Sequence, residues 1–215
     1  MAAKRGYFIT FEGAEGSGKS TQVKLLCEYL AKKKIDYEVS REPGGTDIGE
    51  QIREILLNPK NSKMCAVTEL LLYSASRSQH IYERIKPAIE SGKIFISDRF
   101  SFATLAYQGY GRKIDLELIK KITDIAVQGI EPDLIFLLDI DPLVGVNKAK
   151  IKSQAIYATE NGDRLENESI EFHNDVRNGY LELACQNHNV KVIEYAPIEI
   201  VHQQIIKTLE QKFGI

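Results

Sequence analysis

Gly13, Ala14, Glu15, Gly16, Ser17, Gly18, Lys19 and Ser20, followed by Thr21, fit the pattern G-x-x-x-x-G-K-S/T. Glycines at this spacing let a backbone turn its N–H groups inward around a phosphate chain. The lysine adds a mobile positive charge, and the serine hydroxyl is a hard oxygen ligand for Mg²⁺. An apolar run, Tyr7-Phe8-Ile9-Thr10-Phe11, leads into the octet, and a helical pattern leads out of it. The stretch from Gly13 to Thr21 therefore predicts a cradle for a nucleoside triphosphate. It leaves open what receives the phosphoryl group.

Positioning such a loop takes a strand before it and a helix after it, and the chain repeats that alternation to its end. Periodicity predicts strands over 7–11, 35–40, 93–97, 134–138 and 190–194. Helices are predicted over 21–30, 48–57, 68–89 with a kink at Pro87, 101–108, 116–129, 169–186 and 198–212. Gly109-Tyr110-Gly111 is read as a turn, and 145–163, with little apolar periodicity and three lysines at alternate positions, as a mobile flap. The pattern is that of an α/β protein, a doubly wound five-stranded parallel sheet with helices on both faces. Residues 1–215 are read as a single domain.

Ligands of such sheets sit beyond the carboxyl ends of the strands. Those ends carry Glu12 and the loop, Arg41-Glu42, Asp98-Arg99 and Asp139, a row of charge in register with the phosphate site. The charges bear on the acceptor. A hydroxyl acceptor calls for a carboxylate to take its proton. A phosphate monoester, with a second pKa of about 6, is already ionised and needs no general base. Its difficulty is repulsion: two unit charges 4 Å apart cost about 4 kcal/mol at an effective dielectric of about 20. Arginines, Mg²⁺ and a closing flap answer that difficulty. Arg53, Arg77 and Arg99 at the rim, and Lys148, Lys150 and Lys152 in the flap, favour the phosphate acceptor. Tyr73 and Arg77, four residues apart, share a helix face and offer a ring beside a guanidinium; Thr104, Tyr107 and Gln108 share another.

Composition narrows the class further. Lys and Arg number 28 against 30 Asp and Glu, which gives no broad basic field for nucleic acid. No run reaches the roughly 20 apolar residues of a membrane span, so no membrane partner is expected. Three scattered cysteines, Cys27, Cys65 and Cys185, fit a reducing cytoplasm and suggest neither a disulfide framework nor a zinc site. The guanine-reading Asn-Lys-x-Asp of a regulatory GTPase is missing, since Asn147-Lys148-Ala149-Lys150 lacks its aspartate. A deoxynucleoside kinase acting on a hydroxyl and an ATP-binding regulatory module remain as alternatives.

Phe11-Glu12-Gly13, Arg41-Glu42-Pro43-Gly44-Gly45-Thr46, the Tyr73 to Arg77 pair, Asp98-Arg99-Phe100 running to Ala106-Tyr107-Gln108, and Asp163-Arg164-Leu165-Glu166 occur in that order. On these motifs the chain resembles the bacterial thymidylate kinases, P-loop nucleoside monophosphate kinases with a mobile lid. The resemblance implies transfer of the γ-phosphoryl of ATP to dTMP, giving ADP and dTDP on the way to dTTP, with Mg²⁺ and in a homodimer built on helix faces. It implies that Tyr73 stacks on thymine, Arg77 bonds its O4, Thr104 meets its polar edge, and Tyr107 lies against the sugar and disfavours a 2′-hydroxyl. Arg53 and Arg99 would hold the acceptor phosphate, and Glu42, Pro43, Gln108 and Asp163 would complete the dTMP pocket. Ser20, Asp98 and Glu15 would organise Mg²⁺ and its waters, while Lys19 follows the phosphoryl group. Two departures stand out. Ala103 replaces a usual serine, and Gly16 replaces the loop arginine of some relatives. Members without that arginine usually place arginines in the lid, so Lys148, Lys150 and Lys152 are expected to take over charge neutralisation.

Overall fold

Short apolar runs become the strands of one sheet: β1 (Phe8–Glu12), β2 (Tyr37–Arg41), β3 (Ile94–Asp98), β4 (Leu134–Asp139) and β5 (Val190–Glu194). The computed structural model describes residues 5–157 and 163–215, with side chains described for 5–151 and 163–215. All pairings are parallel, in the order β2-β3-β1-β4-β5. Around the sheet lie α1 (Lys19–Lys32), α2 (Asp47–Leu57), α3 (Ala66–His80), α4 (Lys86–Glu90), α5 (Ser101–Thr104), α6 (Leu116–Val127), α7 (Pro142–Tyr157), α8 (Ile170–Gln186) and α9 (Ile198–Phe213). This is the doubly wound architecture expected from the alternation.

β4 shows why its apolar run is unbroken. Side chains alternate faces along a strand. Leu134, Phe136 and Leu138 join Ile9 and Phe11 of β1, Leu26 and Leu30 of α1, and Ile205 and Leu209 of α9 in one core. Ile135 and Leu137 point the other way, into a core with Phe102, Tyr107, Phe172 and Val176. A third cluster, containing Phe8, Phe95, Ile81, Ile85 and Phe100, fills the space beside β1 and β3. No helix among the described residues is long and apolar enough to cross a membrane.

Three segments differ from the sequence reading. The helix expected over 68–89 is α3 and α4 joined by a π turn, Ile81–Ile85. Pro87 has no N–H to return to the carbonyl four residues back, and the Lys86 N–H reaches instead to the Ile81 carbonyl. Gly109-Tyr110-Gly111 is no turn: it lies within a π-helical stretch, Leu105–Gly111, that continues α5. Gly111 answers to packing, since a Cβ there would stand 2.5 Å from the Phe172 ring. Finally, the flap expected over 145–163 is helical as far as Tyr157. Among its residues with described side chains, α7 buries Pro142, Gly145 and Ala149, at helical spacing but so small that hydropathy shows no period.

Candidate active site

The register of the sheet levels the charged strand ends with one another. Phe11 and Arg41 each pair with Asp98, and Asp139 with Glu194. Above them opens a cleft of about 1430 Å³. Its lining runs from Tyr195, Ala196, Pro197 and Ile198 after edge strand β5, past Glu15 to Gln22, to Pro43, Arg53, Leu57 and Tyr73 beyond edge strand β2. The cleft therefore spans the whole width of the sheet, with the phosphate loop in its middle.

Gly18, with φ 97°, caps α1, so the N–H groups of the first turn face the cleft. Lys19 is 7 % exposed, and its ammonium donates to the carbonyls of Gly13 (3.1 Å) and Ala14 (2.9 Å) and to Ser17 Oγ (3.3 Å). Burial, with Arg99 adding to it, pushes Lys19 down to about 8 against the pull of Asp98, Glu15 and Glu12. A lysine whose pKa is lowered loses its charge at lower pH. The kcat/KM for ATP, which reports the free enzyme, is expected to fall about tenfold per unit as pH rises beyond about 8; a profile flat to pH 10 would detach activity from this charge. Ser20 Oγ donates to Asp98 Oδ2 at 3.0 Å, placing two hard oxygen ligands together at the mouth of the loop. That donor set fits Mg²⁺, which binds through few protein oxygens and keeps its phosphate and water ligands. Among the described residues no group of three His, Cys, Asp or Glu side chains forms a self-sufficient metal site.

Arg99 gathers the next layer. It follows β3 with φ 75°, and its guanidinium reaches Glu15 (2.6 Å), Tyr107 Oη (3.0 Å), the Gly13 carbonyl (3.0 Å) and Tyr180 Oη (3.1 Å). Burial alone would raise Glu15, but Arg99 and then Lys19 outweigh it and hold the carboxyl at about 2. Glu15 is thus a permanent anion and a poor base. It lies in the cleft with its Oε1 engaged by Arg99, while Ser20 and Asp98 face each other directly.

The sequence pairs Tyr73 with Arg77, and the structure separates their exposure. Tyr73 lines the cleft together with Ala103, Thr104, Tyr107, Gln108, Glu42, Pro43, Arg53 and Asp163. Arg77 is 1 % exposed and stands behind that wall, donating from Nε to Glu42 (2.8 Å), from Nη1 to Thr104 Oγ1 (2.9 Å) and from Nη2 to the Phe100 carbonyl (2.9 Å). Three of its five N–H groups are committed. Glu42 also meets His80 Nδ1 at 3.0 Å, so this carboxylate orients Arg77 from below. Arg53 is tied to the Pro43 carbonyl (2.9 Å), and Gln108 donates to the buried Glu69 (2.7 Å). Asp163 accepts from the N–H groups of Leu165 and Glu166, both at 2.9 Å, and burial followed by Glu15 pushes its carboxyl up to about 6.

Of the three lysines, Lys148 lines the cleft, donating to Tyr195 Oη at 2.6 Å with its ammonium 4.2 Å from the ring centroid. Lys150 is exposed and outside the lining, and the Lys152 side chain lies outside the described residues. The first turn of α7 rests on the phosphate loop: a Cβ on Gly16 (φ 67°) would stand 2.1 Å from the Gly145 carbonyl oxygen, and one on Gly145 2.4 Å from that of Glu15. The sequence reading stopped at Asp139 and missed two features. One is the wall after β5, Tyr195 to Ile198, which the strand-end rule would have reached one strand later. The other is Arg177, which grips Asp139 at 2.7 and 2.8 Å from α8.

A parallel sheet in this order, a phosphate loop between β1 and α1, and a cleft with cationic groups on both sides of that loop define a P-loop phosphotransferase of the nucleoside monophosphate kinase type. The thymidylate kinase family model matches residues 11–205. A thymidylate kinase of Maridesulfovibrio salexigens is 45% identical over 210 residues, covering 96% of this chain and 97% of its own. One from Lactobacillus helveticus is 46% identical over 211 residues, covering 97% of each. The crystal structure of thymidylate kinase from Ehrlichia chaffeensis superposes with a TM-score of 0.77 at 36% identity, covering 96% of this chain and 99% of that one. The chain belongs to the thymidylate kinase family.

Proposed function

We propose that this chain transfers the γ-phosphoryl group of ATP to dTMP, acting through residues 1–215 as one P-loop kinase domain. The observation that carries the reading is the positive charge around the loop: Lys19, Arg53, Arg99 and Lys148 all line one cleft, and the Glu15 carboxylate beside the loop is already clamped by Arg99 at 2.6 Å. An already ionised phosphate acceptor asks only for positive charge and alignment, and the cleft supplies both.

In this reading ATP lies along α1, its triphosphate on the N–H groups of Gly13 to Thr21 and its base against the wall from Tyr195 to Ile198. Thymine stacks on Tyr73 and meets the polar edge of Thr104 and Gln108, with Arg77 holding Thr104 from behind and Glu42 and Pro43 below. Arg53 and Arg99 hold the acceptor phosphate, Tyr107 closes on the sugar, and Asp163 borders the same pocket. Lys19 trades its loop carbonyls for the transferring group, and Lys148 leaves Tyr195 for the phosphates as α7 acts as the lid. Ser20 and Asp98, with Glu15 behind them, would hold Mg²⁺ and its waters, which neutralise phosphate charge when bound. An ADP-release assay with MgATP and, in turn, dTMP, dUMP, UMP and AMP is expected to give the highest kcat/KM with dTMP. Equal turnover of UMP or AMP would remove the assigned roles of Tyr107 and the Thr104 edge.

We also assign the chain a homodimer and a cytoplasmic setting, the latter supported by three free cysteines. Val67 (49%), Leu71 (51%) and Tyr82 (70%) expose an apolar stripe along α3 and its π turn, and Leu118 (44%) and Ile125 (79%) one along the adjoining α6. We assign these exposed apolar side chains on two adjoining helices to the interface. Sedimentation is expected to give a dimer mass for the wild type and a monomer for Leu71→Glu; a monomeric wild type at micromolar concentration would refute the assignment.

A further inference from the structure

We infer that Tyr180, oriented by Glu12, is the positioning residue that fixes Arg99 against the phosphate loop. The inference rests on the proposal that Arg99 holds the acceptor phosphate.

The Arg99 guanidinium has two terminal nitrogens with different company. Nη2 bonds Glu15 and Tyr107, both of which line the cleft. Nη1 bonds the Gly13 carbonyl and the Tyr180 hydroxyl, and neither residue is part of the lining. Each terminal nitrogen carries two N–H groups. The Nη1 edge is therefore fully committed to the interior, while the Nη2 edge shares its donors with groups that a ligand can rearrange. A planar guanidinium anchored along one edge presents the other in a fixed plane.

Tyr180 can anchor it because its own hydroxyl is held. The ring, 1 % exposed, packs edge-on against Tyr107 at 6.3 Å, and the hydroxyl donates to Glu12 Oε2 at 2.9 Å. With its proton pointed at Glu12, the hydroxyl oxygen turns a lone pair to Arg99. The other oxygen of Glu12 accepts the Phe100 N–H at 2.7 Å and so fixes the backbone next to Arg99, whose φ of 75° a residue with a side chain rarely adopts. Glu12 is 0 % exposed and, like Tyr180, does not line the cleft. This carboxylate holds Arg99 twice, once through the main chain and once through Tyr180.

Tyr180→Phe deletes one hydroxyl and keeps the ring. Since small misplacements of an aligning group cost up to about a hundredfold, KM for dTMP is expected to rise about tenfold while KM for ATP stays within twofold. KM does not depend on the fraction of protein folded, so the split survives a partly unfolded preparation. In an Arg99→Ala background the same substitution is expected to change KM for dTMP by less than twofold. A Tyr180→Phe enzyme within twofold of wild type, equal damage to both substrates, or an undiminished effect in the Arg99→Ala background would each overturn the role of Tyr180. If Arg99→Ala alone left dTMP turnover intact, the failure would lie with the assignment of Arg99 instead.

Discussion

Replacing Lys19 with methionine is expected to lower kcat by about 10³-fold while the chain stays folded, the scale seen when one preorganised charge donor is removed from a transition state. Methionine keeps the stem of the side chain and deletes its charge. Lys19 is already desolvated and poised over the loop carbonyls, and Asp98, Glu15 and Glu12 pull on its ammonium. Losing it strips positive charge from the point where donor and acceptor phosphates must meet. Steady-state kinetics beside circular dichroism measure the effect. A loss smaller than about tenfold in a folded variant would hand the transferred group to another cation, with Arg99 the first candidate.

The second large effect concerns Gly16. The family resemblance suggests that an arginine there would add a phosphate contact, but the structure predicts that Gly16→Arg destroys one. Its φ of 67° costs a residue with a side chain about 1–2 kcal/mol. The Cβ would also stand 2.1 Å from the Gly145 carbonyl oxygen, which is backbone and cannot swing aside. The first turn of α7 must lift, and Lys148 moves with it from its place on Tyr195. At about 1.4 kcal/mol per tenfold, kcat/KM for ATP is expected to fall by about 10- to 100-fold, with Gly145→Ala giving a loss of the same kind. A Gly16→Arg enzyme as efficient as wild type would show that the seating of α7 on the loop is dispensable. The choice of glycine is thus set by the helix above the loop as well as by the phosphate within it.

What the sequence disclosed follows from how local each device is. The phosphate loop works through its own backbone over nine consecutive residues, Gly13 to Thr21, and so reads directly from the chain. The strands were legible because a parallel sheet covered on both faces leaves unbroken apolar runs such as Leu134 to Leu138, and their ends placed Asp98, Arg99 and Asp139 in one row. The shortfalls were of other kinds. Helix α7 buries Pro142, Gly145 and Ala149, which are too small to mark a periodicity. Arg77 shares a helix face with Tyr73, but its burial behind Thr104 depends on Glu42 arriving from 35 positions away in the chain. The Glu12–Tyr180 bond joins residues 168 positions apart, and no spacing rule links them. Contacts made across the sheet by single hydroxyls and carboxylates leave no periodic trace.

Phosphorus NMR of the products formed from MgATP tests the central claim, that the acceptor is a phosphate and not a hydroxyl. With dTMP the account predicts the two new resonances of dTDP appearing in step with ADP, one for one, and with thymidine no phosphorylated product. Conversion of thymidine to dTMP while added dTMP goes unchanged, or bound ATP that turns over with neither, would contradict it.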